Sequence, residues 1–200
     1  MLLPRAISTA PELTSDSLEQ RSFSYFKTQT LPQFSAPFRD EFWTRLVLQF
    51  SCQEPAVRHL LVALGALHES FEEEHSVISS TSSLSRSLSL RNYSSLYYSK
   101  ALVVLNTYIS NHSWDGLAVS LACCIICIGF EWLRGEKDAA LAHLRSGLLI
   151  LDQWSQGQPD GASYRIGTSP SSPTGHLIRG HIAPTLLRLG LSIPYVSPHG

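Results

Sequence analysis

Residues 121–135 read LACCIICIGFEWLRG, three cysteines in a run without charge that stops at Glu131, Trp132 and Arg134. The fold depends on whether those thiols bind a metal, act as a redox pair, line a bilayer span or fill a packed helix. On a helix Cys123 and Cys127 share a face, as do Cys124 and Cys127, so two thiolates could reach one ion. A closed zinc site takes four ligands. Cys52 falls on a different helix, and no histidine lies within a turn of the three. A redox CxxC needs a helix N-terminus or neighbouring cations, whereas this pair sits mid-helix among Ile and Leu. The apolar run Leu117–Phe130 is fourteen residues, short of the ~20 a bilayer span requires. The thiols therefore read as small apolar residues of a buried helix.

The flanking sequence has the same helical period, and no stretch alternates for long in the manner of a half-buried strand. Upstream, a helix is expected over 17–28 with Phe23 and Phe26 on one side, followed by a turn through Pro32 and Pro37. A second begins near Asp40 as N-cap and carries Phe42, Trp43, Leu46, Val47 and Phe50. Pro55 suits the first turn of a third, which presents Val57, Leu60, Leu61, Leu64 and Leu67 as one broad apolar face and ends in a solvated acidic HESFEEEH. A fourth carries Tyr97, Ala101, Leu102, Leu105 and Ile109. NHSWDG turns the chain into the cysteine helix, and Gly135 is the expected left-handed residue at its end. A sixth helix spans 138–154, with Ala140, Leu144, Gly147, Leu148 and Leu151 inward. HLIRGHIAPTLLRLG forms a last helix, bent or interrupted at Pro184.

Short links between amphipathic helices imply antiparallel neighbours. The fold class is all-α: antiparallel helical hairpins stacked as an irregular α-solenoid-like bundle. No fixed repeat period survives all pairs. The domain reading is a disordered tail at 1–20, one helical region at 21–191 and a C-terminal tail at 192–200. Within it, the serine-rich stretch 76–95 and the Gly/Pro/Ser-rich stretch 155–175 are expected as flexible loops.

Composition excludes several functions. Fifteen basic against sixteen acidic residues give a net charge of -1, with no clustered Lys/Arg footprint for nucleic acid and no basic import signal. Pro4 and Arg5 break the first apolar residues, so no secretory leader is read, and four cysteines without one suggest free thiols in a reducing compartment. Glu72 and His75 have the Glu-x-x-His spacing of di-iron bundles, but that site needs a second copy and two more inward glutamates. Gly-x-Ser-x-Gly, phosphate-loop, dinucleotide and His-Glu-x-x-His motifs are all missing. No catalytic, cofactor-binding or metal residue is assigned, no cofactor is expected, and the chain reads as a non-enzyme. Arg86 three residues before Ser89 forms a phosphorylation-like pattern in the serine-rich stretch.

The string from Arg21 to Glu72, with Phe42-Trp43, EPAVRH at 54–59 and ALGALHE at 63–69, resembles the regulatory region of fungal zinc-cluster transcription factors. YYSKALVVLN, GFEWLRG, HLRSGLLIL and IAPTLLRLGL resemble its later blocks in the same order, so the resemblance covers about residues 21 to 191. That family joins its regulatory region to a six-cysteine DNA-binding cluster. The residues before Arg21 contain no cysteine, and 123, 124 and 127 lack the cluster's spacing and basic residues. The resemblance implies a shortened relative or one piece of a larger regulator. It implies a nuclear location and action through protein contacts, with full-length zinc-cluster regulators among the partners in homo- or heterodimers. No direct nucleic-acid binding and no membrane are expected. The rival readings are a helical adaptor without a transcriptional role and a metal or redox enzyme built on the cysteines. Within the matched blocks, Phe42 and Trp43 would anchor one helix in its neighbour, Gly65 would allow close helix approach, and Glu131 would pair with Arg134.

Overall fold

A computed structural model describes residues 15–36, 40–75, 81–110, 114–156 and 172–192. Every regular element among them is helical. Helix α1 (Ser15–Tyr25) runs through a π turn, Phe26–Thr30, into α2 (Leu31–Ser35). A second π turn, Phe42–Leu46, leads into α3 (Val47–Gln53), followed by α4 (Pro55–His75) and α5 (Thr81–Ser110). The cysteine helix is α6 (Trp114–Arg134), followed by α7 (Lys137–Ser155). Then α8 (Pro173–Leu177) passes through a third π turn, Ile178–Ile182, into α9 (Ala183–Ser192).

Two antiparallel hairpins dominate. In the first, α5 lies along α4: Ser87 Oγ donates to the Ser70 carbonyl at 3.1 Å and Ser94 Oγ to the Ala63 carbonyl at 2.7 Å. In the second, α7 returns along α6 after a two-residue link. Gly135, at φ 80°, lets the Gly135 N–H reach the Trp132 carbonyl and the Glu136 N–H reach the Glu131 carbonyl. That bond pair is the Schellman termination.

Helix α4 is the centre. Leu60 to Ser70 is buried without a break, including His68, Glu69 and Ser70. The expected single apolar face is therefore corrected, whereas the acidic end keeps its expected exposure at Glu72 and His75, with only His68, Glu69 and Ser70 of HESFEEEH buried. Between residues 60 and 70 the helix is covered on all sides, and its first and last turns reach solvent. Gly65 makes that crowding possible, since a Cβ there would stand 2.2 Å from the Ser22 carbonyl oxygen of α1. Phe42 and Trp43 are fully buried, edge to face at 5.2 Å, with Phe34 5.4 Å from the indole.

Three expected irregular stretches are corrected. Of 76–95, residues 81–95 are the first half of α5, because packing on α4 overrides the weak helix propensity of serine. Of the loop 155–175, Ser155 ends α7 and 173–175 open α8, with the Ser172 hydroxyl accepting from the Gly175 N–H at 3.0 Å and Pro173 at the first position. Of the tail 1–20, residues 15–20 are already in α1, held where Glu19 meets Arg58 at 3.1 Å. The remaining parts of these stretches lie outside the described residues, as do Pro37 and the first half of NHSWDG. Pro32 does not turn the chain; it sits in the first turn of α2, where its missing N–H does no harm. Pro184 is the second residue of α9, just after the third π turn, whose wider ring relieves the clash a proline makes with the preceding turn.

Candidate functional site

Three polar clusters sit where helices meet. The first surrounds the cysteines. Cys123, Cys124 and Cys127 are all buried. Burial pushes the Cys123 and Cys127 thiols well up and the Cys124 thiol up to about 11. A thiol raised in this way holds almost no thiolate, the form that binds metal or attacks disulfides. Cys52 is exposed on α3, its thiol directed at the Leu48 carbonyl 3.4 Å away. Among the described residues no group of three or more His, Cys, Asp or Glu could hold an ion. The cysteines therefore do not fit a zinc cluster, and four in the whole chain cannot form a six-cysteine one.

Gly116–Arg134 is long and apolar enough to cross a membrane by length and composition, which corrects the expectation that this segment is too short to span; 78% of its apolar stretch is buried. Burial, rather than length, is what marks α6 as a core helix. At its C-terminal end Tyr98 stacks on Phe130 at 4.3 Å and its hydroxyl meets His143 Nε2 at 2.9 Å. Burial keeps the His143 imidazole below its usual range and pushes the Tyr98 phenol up. Glu131 is buried and pairs with Arg134 at 3.0 Å, as the three-residue spacing predicted. This cluster satisfies and orients its members, and no group in it is poised as a nucleophile or base.

The second cluster joins α1 to α4. Arg21 grips the buried Glu69, and Thr30 Oγ1 meets His68 Nδ1 at 3.0 Å. Glu72, which the di-iron spacing singled out, is exposed and stands 3.7 Å from His68 Nε2. His75 is exposed and hydrogen-bonds the Phe71 carbonyl at 2.7 Å, so the pair does not converge on an inward site. Nearby, a cleft of about 190 Å³ opens between α1 and the α3–α4 junction, lined by Glu19, Cys52, Glu54, Arg58 and His59 among others. Burial raises the Glu19 carboxyl, but hydrogen bonds from Tyr97 and Arg58 outweigh it and leave the group below its usual range. Drug-sized sites occupy ~300–1,000 Å³ and are mostly apolar; this cleft is smaller and charged.

The third cluster, which the sequence did not signal, is centred on Asp40. One carboxylate oxygen accepts from the Phe42 N–H at 2.9 Å, and the other accepts from Thr185 and Arg188 of α9. Beside it, Glu41 meets His181 at 3.1 Å and also pairs with Arg45. Asp40 is thus an N-cap, as expected, and also ties the last helix to the N-terminal helices. Arg86 pairs with Glu73 at 3.3 Å, and Ser89 lies mid-helix with its hydroxyl on the Ser85 carbonyl.

These clusters hold helices together, and none assembles a reacting centre. Residues 21–175 match the family described as the fungal specific transcription factor domain. The chain is similar to the transcription regulator lscL of Purpureocillium lilacinum, 31% identical over 130 residues, which is 65% of this chain and 30% of that protein. It is also similar to the aspercryptin biosynthesis cluster-specific transcription regulator atnN of Emericella nidulans, 28% identical over 141 residues, 70% of this chain and 21% of that one. The chain thus spans less than a third of the length of either curated relative. No solved structure gives a significant match.

Proposed function

Since this chain belongs to the fungal specific transcription factor domain family, we propose that it is a helical regulatory module of transcription that works in the nucleus through protein contacts. The observation that carries this reading is the family match across residues 21–175, joined to the names of the two relatives, both transcription regulators. In this reading DNA contact comes from a partner polypeptide or a part of the regulator other than these helices. The placement of the arginines supports that division: Arg21, Arg45, Arg58, Arg86, Arg91, Arg134 and Arg188 are committed to carboxylates. A phosphate-binding surface needs its cations free to replace counterions. Partners of the module are other zinc-cluster regulators, in homo- or heterodimers, and the module has no catalytic role.

The test is to fuse the chain to an unrelated DNA-binding domain and measure a reporter in a fungal host. Expression should move several-fold up or down from the level set by the binding domain alone. An expressed, nuclear fusion that leaves the reporter unchanged overturns the reading. The helical hairpins α4–α5 and α6–α7 would serve a cytoplasmic adaptor equally well. That second reading takes over if the tagged chain stays outside the nucleus and co-purifies only with cytoplasmic proteins.

A further inference from the structure

Residues 172–191 are attached more thinly than the central helices. The buried ones are Gly175, Ile178, Ile182, Thr185 and Leu186, against the unbroken run from Leu60 to Ser70 in α4. A segment with few buried apolar side chains opens at lower cost than the core. This segment lies on the α6–α7 hairpin as a peptide lies in a groove: α8 and the third π turn rest on α6, and α9 rests on α7. Ile182 and Leu186 are fully buried and Leu189 partly so. These positions are i, i+4 and i+7, the spacing by which an amphipathic helix anchors in an apolar groove. Leu186 enters a notch at Gly147. A Cβ there would stand 3.0 Å from one Leu186 methyl carbon and 3.3 Å from the Cys124 Cβ, so α6 supplies the other wall. Glycine weakens the middle of a helix, and at 147 the notch is what it provides.

The rim of the groove is acidic. Asp40 accepts from Thr185 and Arg188, at i+3 and i+6 of the same helix, and Glu41 meets His181 at 3.1 Å. We propose that the groove between α6 and α7 is a docking site for an amphipathic helix of a partner protein, and that residues 172–192 are its resident occupant. The resident defines the chemistry of the visitor: aliphatic side chains at i, i+4 and i+7, with Arg or Lys at i+6. The cation is required because Asp40 is nearly buried, and a buried carboxylate left without its partner is strongly unfavourable. The resident helix competes from within the same chain at high effective concentration. A visitor therefore gains the groove when the Asp40 rim lets go. As a statement of what the module binds, this rests on the reading of action through protein contacts. Peptide binding is read on purified chain and reporter output in cells, so the two fail separately.

Hydrogen exchange on the unaltered 200-residue chain gives the first test. Amides of 185–191 should exchange at least about tenfold faster than those of 60–70, through an opening that leaves α4 protected. Exchange of both regions at one rate overturns the proposal. The second test releases the rim with Thr185→Val and Arg188→Glu together. With an unchanged circular dichroism spectrum, Cys124 should react with a thiol reagent at least about tenfold faster than in the unaltered chain, while Cys123 and Cys127 stay slow. A dye-labelled synthetic peptide of residues 172–192 should bind this variant with a Kd of about 1–100 µM and slow Cys124 again. It should bind the unaltered chain at least about tenfold more weakly, because the resident helix holds the groove. The same peptide carrying Leu186→Glu should not bind. An unchanged Cys124 rate, three thiols accelerating together, or no binding of the 172–192 peptide to the variant up to about 500 µM each overturns the proposal. If the variant fails to fold, the exchange rates of the unaltered chain decide.

Discussion

Replacing Asp40 by alanine should loosen the attachment of α9 more than any other single change at the surface of the bundle. Asp40 is 5% exposed and accepts from three donors in two distant parts of the chain. Loss of an N-cap acceptor costs about 1 kcal/mol. Loss of a charge-assisted bond to a buried hydroxyl costs about another 1.5 kcal/mol, softened because Thr185 keeps its bond to the His181 carbonyl at 2.8 Å. The Arg188 side chain is 44% exposed and rehydrates, so its share is discounted to about 0.5 kcal/mol. The total is about 3 kcal/mol, which at a urea slope near 2–3 kcal/mol/M lowers the midpoint by about 1 M. Asp40→Asn keeps the cap through its one amide oxygen but not the acceptor facing Thr185 and Arg188, and should lose about half as much. Urea unfolding followed by circular dichroism measures both. A midpoint within about 0.3 M of wild type for Asp40→Ala would refute the assignment of Asp40 as the tie between the N-terminal helices and α9.

Gly65→Ala should destabilise despite the better helix propensity of alanine, because the new Cβ would stand 2.2 Å from the Ser22 carbonyl. A net loss of about 2 kcal/mol corresponds to a melting temperature lower by about 4–8 °C, and a rise would show that α1 does not cross there. A thiol reagent at neutral pH should label Cys52 promptly and Cys123, Cys124 and Cys127 only on unfolding; four fast thiols would contradict their burial. Purified chain should carry no stoichiometric zinc, and Cys123→Ala and Cys127→Ala should fold. Burial lowers the folded-state values of His59, His68 and His143, so the unfolded chain takes up protons first. Stability is then full above about pH 6.5 and falls as pH drops below it. Urea midpoints that are flat between pH 7.5 and 5.5 would argue against those burials. Glu19, held low, adds a further loss only as pH falls through its folded-state value, below about 4.5.

Helix periodicity in the sequence was sufficient to find most of the core. Val57, Leu60, Leu61, Leu64 and Leu67 are all buried, as are Ala140 and Leu144. Pro55 and Gly135 marked helix ends because each has a conformational reason to be there. What stayed hidden depended on distant partners. His68 and Glu69 look like the start of an acidic, solvated helix end until Arg21 arrives from α1 and Thr30 from the π turn that follows it. The serines of 81–95 resemble a loop until α4 supplies the carbonyls that Ser87 and Ser94 donate to. Ser172-Pro173 was readable as a cap and first turn, but the surrounding Gly, Pro and Ser masked it. The link from Asp40 to Thr185 and Arg188 spans most of the chain, and local pattern carries no trace of it.

The enclosure of α4 governs how this polypeptide can be divided. A rod with neighbours on every side has no independent half. Cutting away α1 would strip the cover from Gly65 and Glu69, and cutting away α5 would remove the Ser94 and Ser87 hydroxyls from the Ala63 and Ser70 carbonyls and uncover that side of the helix. Fragments ending between these helices should therefore be protease-sensitive, and two such pieces mixed together should regain resistance only when the pair restores the full sheath around residues 60–70.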